Sequence, residues 1–293
     1  MFEIFVDSLL LVGSPAIGSF LAMAADKMPK QQSFLLGRSK CDHCGNVLIW
    51  KDLLPIINHL WLKGRCRTCK LTISLDSFYI ECSSTVLSVS AYFLIGGGLI
   101  FWLSMMLGWT LLLLSAIDIR HFILPDPLVF ALILLGGLWA SITPVLPSSD
   151  FIIGAVAAYA FMGSTKYLYR KIKNIDGIGG GDVKLFVAAG IWLGWKMLPF
   201  VLLIACCSAL THILIKMRSK LPRHLKIAFG PYLAIGIWVL FIGMNLESRN
   251  YPYFYRGWIV PLSGDMQGQP QRPERKQHFT KLNDSFTIFH FTD

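Results

Sequence analysis

Apolar residues in this chain run in long stretches, at about 2–25, 79–97, 99–119, 125–143, 149–168, 182–194, 196–216 and 228–245. A helix rises about 1.5 Å per residue, so ~20 apolar residues cover the ~30 Å hydrocarbon layer of a bilayer. Most of the stretches are near that length, and a helix satisfies its own backbone polar groups in lipid. The pattern predicts an all-α polytopic membrane protein with about eight transmembrane helices. The 182–194 stretch is short and is expected to thin the bilayer locally or to begin at a non-helical turn buried in protein. Four parts follow: a first transmembrane helix over 1–25, a polar loop domain over 26–78, a seven-helix membrane core over 79–245, and a polar, flexible tail rich in Gln and Pro over 246–293.

Composition agrees. Of 293 residues, 54% are hydrophobic and 15% charged, with mean hydropathy +0.56. Ordinary soluble domains carry about 25% charged residues. A disordered chain, a small disulfide scaffold and a typical cytosolic enzyme are excluded. The net charge is +10, and in a membrane protein such an excess orients the chain. The segment 26–78 holds nine Lys and Arg, and Lys166, Arg170, Lys171, Lys173 and Lys184 cluster around 169–184. Lys216, Arg218, Lys220, Arg223 and Lys226 flank 217–227. These three loops share one side of an alternating path. The positive-inside rule then places 26–78, 120–124, 169–181 and 217–227 in the cytoplasm and both termini on the periplasmic side. No basic patch stands apart from a membrane flank, so no nucleic-acid partner is expected. The first stretch opens with Glu3 and Asp7 and is followed by basic residues. A secretory signal has the reverse polarity, so it reads as a retained helix.

Four of the seven cysteines form two C-x-x-C knuckles, Cys41–Cys44 and Cys66–Cys69, with 21 residues between them. This spacing fits a tetrahedral four-thiolate zinc site, which leaves no open position and so serves structure. His43 and His59 are substitute ligands in principle, and a redox dithiol pair or free thiols are the competing readings. Cys82, Cys206 and Cys207 lie in apolar surroundings and read as small buried hydrophobes.

The third stretch closes with Asp118, and the sixth opens with Gly179-Gly180-Gly181-Asp182-Val183-Lys184. Span order and charge counting put Asp118 and Asp182 at the same, cytoplasmic, membrane boundary. Two carboxylates in one site cannot both ionise cheaply, so they share a proton. The ionised one can take a proton from water while the other polarises a scissile carbonyl and then protonates the leaving amine. Glycines 179–181 allow a tight turn and close approach of an extended substrate. The plainer alternatives are that Asp182 caps a helix N-terminus and that Asp118 marks the interface beside Arg120. Asp126, between Pro125 and Pro127, reads as a turn residue, and Asp176 as a loop charge or as a group that supports the aspartate site from behind.

At these residues the chain resembles the type IV prepilin leader peptidases, membrane aspartic proteases of the GxGD type. The resemblance spans about residues 10–240 and is carried by Asp118 with Arg120-His121, Leu124-Pro125-Asp126 and Gly179 to Leu185. It also includes Gly18-Ser19-Phe20-Leu21, both knuckles, Gly64-Arg65-Cys66, Glu81 and Phe229-Gly230-Pro231. It implies a bacterial inner-membrane enzyme in which Asp118 and Asp182 form the catalytic dyad, with the motif residues Gly179, Gly180, Gly181 and Lys184 around it. It implies cleavage of short basic leaders from prepilins and pseudopilins, after a glycine and before a hydrophobic helix. Methylation of the new N-terminus with S-adenosylmethionine is implied as well. The chain departs from the family pattern at Ala22, at Asp52-Leu53-Leu54-Pro55, at Asn58-His59-Leu60, at Ser77-Phe78 and at Asp176. A membrane redox or transport protein built on the C-x-x-C pairs is the alternative of a different class.

Overall fold

A computed structural model describes residues 2–31, 43–47, 55–72, 75–142, 148–174, 177–217 and 227–250. The chain divides into the units Met1–Ile259 and Val260–Asp293, and all the described residues lie in the first. Cys41, Asp52, Asp176 and the tail from residue 251 lie outside the described residues.

The regular structure among the described residues is helical, with a short 3-10 turn at Trp195–Met197 and an isolated antiparallel bridge between Arg65 and Thr72 in the cysteine loop. Its helices are α1 (Phe2–Lys27), the one-turn α2 (Ile57–Trp61), α3 (Asp76–Ile95), α4 (Leu99–His121), α5 (Asp126–Ile142), α6 (Ser148–Lys173), α7 (Gly180–Leu193), α8 (Leu198–Met217) and α9 (Gly230–Asn250). Every apolar stretch became a helix, and the ends moved to backbone breakers. The stretch expected to reach 97 stops at Ile95 because Gly96 takes φ 96°, and α4 starts after Gly98 at φ 88°. The last helix runs five residues past the expected boundary at 245.

Five helical segments are long and apolar enough to cross a membrane: Phe5–Lys27, Asp76–Ile95, Leu99–His121, Ser149–Lys173 and Trp195–Lys216. Two further apolar helices, Asp126–Ile142 and Gly230–Leu246, are shorter. The fourteen-residue α7 spans only about 21 Å. Eight of its residues are buried, including Phe186 and Trp192. This helix is surrounded by protein, with α5, α6 and α9 packed on it. The stretch does begin at a non-helical turn, residues 177–179, but Gly177 and Gly179 in that turn are exposed rather than buried.

Close backbone approach sets the packing. Gly18 of α1 lies against α3, where a Cβ would stand 2.6 Å from Glu81 Cα, and Ser84 Oγ donates to the Ser14 carbonyl at 2.8 Å. Asp7, 3% exposed, accepts bonds from the Gly98 amide and Trp102 Nε1, both at 3.1 Å, and ties α1 to the start of α4. Gly154 of α6 and Gly190 of α7 face each other so closely that a Cβ on either would overlap the other's carbonyl. Lipid tails are as apolar as side chains, so contact between small residues, rather than escape from water, holds such helices together. Trp139, Trp192 and Phe241 join α5, α7 and α9 in one aromatic cluster, and Trp192 Nε1 donates to the Leu132 carbonyl at 2.9 Å.

Gly190→Val is expected to destabilise the protein by about 1–3 kcal/mol or more, since backbone must move. Thermal unfolding in detergent checks this. Gly137→Ala, inside α5 at a position with nothing within 4 Å, serves as the control and is expected not to lower the transition, since alanine favours the helix.

Candidate active site and metal cluster

α4 ends one turn beyond Asp118. Its last turn closes on Phe122, in the left-handed region at φ 55°, whose amide donates to the Asp118 carbonyl at 2.9 Å. The chain then passes through Leu124 and Pro125 into α5. The Asp118 side chain is only 5% exposed, and its Oδ2 accepts a 2.9 Å hydrogen bond from the Gly230 amide at the start of α9. The first amides of a helix have no intrahelical partner, so this donor is free to meet a carboxylate. A Cβ at Gly230 would stand 2.7 Å from that Oδ2 and 3.4 Å from Leu124 Cδ2, so glycine is what lets the backbone come so near.

Asp182 sits in the first turn of α7. The residue at the N-cap is Gly179, in extended conformation at φ −60° and ψ 140°. Asp182 is therefore the third helical residue rather than the cap, and its carboxylate reaches back to the Gly179 backbone amide, as the acidic member of a capping box does. At Gly181 a Cβ would lie 2.7 Å from Leu124 Cβ. One leucine thus touches both the helix start that carries Asp182 and the glycine that holds Asp118. The two carboxylates are near enough for their charges to repel each other.

Two lysines flank this arrangement. Lys184 Nζ pairs with Asp126 Oδ1 at 2.6 Å and joins the first turns of α7 and α5. Both side chains are about half exposed, so the pair orients more than it stabilises. Asp126, expected to be a plain turn residue, thereby gains a role. Lys166 of α6 lies over the glycine turn, its Nζ 3.3 Å from where a Cβ on Gly180 would be, and its charge attracts Asp182. The sequence pattern marked Lys166 only as an orienting charge. At the same end of α4, Arg120 pairs with Asp76 of α3 at 3.3 Å.

The second cluster lies between α1 and α3. The sulfurs of Cys44, Cys66 and Cys69 fall within 4.8 Å of one another, and Cys66 is buried. Each knuckle is closed by a left-handed residue after its second cysteine, Gly45 at φ 69° and Lys70 at φ 61°. The Cys66 amide donates to the Leu71 carbonyl at 2.9 Å, and the Lys70 amide to the Cys66 carbonyl at 3.0 Å. Three thiolates so gathered suit a tetrahedral metal with sulfur ligands at about 2.3 Å. Among the described residues no histidine joins them: His43 is exposed, and His59 stacks on Phe78 at 4.8 Å. Cys206 and Cys207, expected to be buried, are exposed on α8, where an apolar lipid-facing surface accommodates them equally well.

Two family descriptions match the chain. The bacterial peptidase A24 N-terminal domain covers residues 12–95, and the type IV leader peptidase family covers residues 105–214. The first contains the cysteine cluster and the second both aspartates. A prepilin leader peptidase/N-methyltransferase of Aeromonas salmonicida (strain A449) is 30% identical over 270 residues, covering 83% of this chain and 93% of the relative. One from Burkholderia pseudomallei (strain 1026b) is 35% identical over 217 residues, covering 73% and 69%. One from Stutzerimonas stutzeri is 32% identical over 245 residues, covering 81% and 82%. No solved structure matches. With a relative at this identity matched over nearly its whole length, the chain belongs to the type IV leader peptidase family.

Proposed function

We propose that this multi-pass membrane protein is a prepilin leader peptidase in which Asp118 and Asp182 activate water jointly. The observation that carries the reading is the burial of Asp118 on the Gly230 amide beside the start of α7, where Asp182 folds back on Gly179 and feels the charge of Asp118. Two carboxylates that act on each other in one site hold one proton between them. The ionised member takes a proton from water as the hydroxide adds to the scissile carbonyl, whose oxygen is polarised by the protonated member. The tetrahedral intermediate then collapses, the C–N bond breaks, and the proton passes to the departing amine. Gly179 and Gly180 are exposed, which leaves room for an extended substrate backbone beside Asp182, while Gly181 packs on Leu124.

The substrate class is a prepilin or pseudopilin with a short basic leader, cut after a glycine and ahead of an apolar helix. In the proposed topology all eight longer helices thread the inner membrane, the termini face the periplasm, and the dyad lies at the cytoplasmic boundary. The leader can then stay in water while the apolar segment lies in lipid. Cys44, Cys66 and Cys69, completed by Cys41, would hold one zinc that folds the loop and leaves no ligand position for chemistry. The relatives' names support a second activity, methylation of the new N-terminus, with S-adenosylmethionine supplying the methyl group. Among the described residues there is no strand, glycine loop and helix of the kind that cradles a nucleotide, so the methyl donor would be held by helical and loop surface.

Asp118→Asn and Asp182→Asn are each expected to lower cleavage of a co-expressed prepilin by at least ~10²-fold, the scale of a lost general acid or base. Both proteins should reach the membrane at normal levels. Mass analysis of the pilin N-terminus is the readout, and normal processing by either variant would remove the assignment. Gly230→Ala crowds the Asp118 carboxylate, and a displacement of about 1 Å is expected to slow cleavage on the order of 10²-fold without unfolding the protein.

Metal analysis of the purified wild type should give about one zinc per chain. Cys66→Ser is expected to lose the metal, whereas Asp182→Asn keeps it. Retention of full zinc by Cys66→Ser would exclude the cluster as its binding site.

A further inference from the structure

The loop segment that carries the second knuckle has a surface with no role in the scheme above. In α2, Ile57 is 58% exposed, Leu60 64% and Trp61 82%. Exposed apolar groups on a membrane helix face lipid, but these stand on a one-turn helix in the polar loop domain. Their height relative to the membrane follows from two contacts with α3. The Ile56 amide donates to Glu81 Oε2 at 2.8 Å, and the His59 ring stacks on Phe78 at 4.8 Å with the planes 26° apart. Glu81 is 7% exposed and lies against Gly18 of α1, so the anchor belongs to the membrane core. Ile56 takes φ 60°, a conformation rare for a β-branched residue, which its surroundings must hold in place.

α2 is thus fixed at the level of the first two turns of α3, a helix long and apolar enough to span the bilayer from Asp76 to Ile95. That level is the headgroup layer. The charge pattern fits the same layer. Lys63, Arg65, Arg67 and Lys70 are exposed, and the sequence from 53 to 75 contains no Asp or Glu. Tryptophan prefers the membrane–water interface, where its ring is apolar and its N–H stays wet. Basic residues beside an apolar face are the composition of segments that lie on anionic lipid.

We propose that α2 is an interfacial anchor: Ile57, Leu60 and Trp61 insert among the headgroups of an anionic leaflet, and the basic residues after them bind lipid phosphates. The anchor holds the cysteine cluster at the membrane surface, five residues from Trp61 to Cys66. This rests on the membrane embedding and the α2–α3 contacts, and it stands whether or not the two aspartates are catalytic.

The test uses the full chain in vesicles containing phosphatidylglycerol, comparing wild type with Trp61→Phe. The side chain is so exposed that this substitution leaves the fold intact. The protein has nine tryptophans, so the emission of Trp61 is read as the difference between the two proteins. The expected result is a blue-shifted difference emission that lipids brominated near the headgroup quench and neutral aqueous acrylamide quenches little. In vesicles of phosphatidylcholine alone, acrylamide quenching is expected to rise. Quenching by acrylamide without quenching by brominated lipid would overturn the proposal. So would protection from both quenchers, which would mean that protein covers Trp61. Equal quenching in the two lipid compositions would overturn the assignment of the basic residues to lipid phosphates.

Discussion

The bond from the Gly230 amide to Asp118 is the contact on which the arrangement of the membrane core turns. A carboxylate that is 5% exposed at the end of an apolar helix needs a donor. No side chain on α4 supplies one, and the bond that does comes from 112 residues away. It works because α9 begins there, with unpaired amides, with Pro231 just inside the start, and with no Cβ at residue 230 to hold the backbones apart. Leu124 packs beside that contact and lies against Gly181 in the first turn of α7, so the ends of α4, α7 and α9 that carry Asp118, Asp182 and Gly230 meet around one leucine.

The same economy of side-chain volume recurs wherever helices must meet. Gly18 admits α3 to α1, and Gly154 and Gly190 admit α7 to α6. In lipid no water is released when helices associate, so attraction must come from atoms in contact, and small residues bring the most backbone within reach. The short α7 shows the consequence. It is too short to cross a bilayer unaided, yet it lies among α5, α6 and α9 and presents buried faces to them. Its burial begins at Val183, while Gly179 and Gly180 at its start remain exposed.

The helices were legible because apolar runs near twenty residues long have few other uses, and all eight runs are helical. Their ends were less legible, because a run of apolar letters does not reveal where Gly96 or Gly194 adopts positive φ. The common level of Asp118 and Asp182 followed from span order and charge counting. What brings them together did not, since Phe229-Gly230-Pro231 reads as a helix start and nothing in its letters names a partner on α4. Asp182 looked like an N-cap because acids after glycines often are, and helix phase alone moved it to the third position. Lys166 and Asp126 were visible as an orienting charge and a turn residue, but their partners were not. Each acquires its neighbour only when α6 and α5 are folded against α7.

The cysteine-bearing loop and the aspartates are linked through α3. One tie is the ion pair between Asp76 and Arg120, two residues beyond Asp118, but Asp76 is 60% exposed, and an ion pair of that kind is worth about 0–1 kcal/mol. The stronger tie is Glu81. Its buried carboxylate accepts the Ile56 amide, and its backbone is clasped by Gly18 of the first helix. Removing that carboxylate would take away the partner of the half-buried Ile56 amide and free the loop from α3. A leader peptidase must bring a water-soluble leader and a lipid-soluble helix to one place. The loop that carries Cys44, Cys66 and Cys69 is fastened to the end of the core where Asp118 lies, so the water-facing and lipid-facing parts of the chain meet at that end.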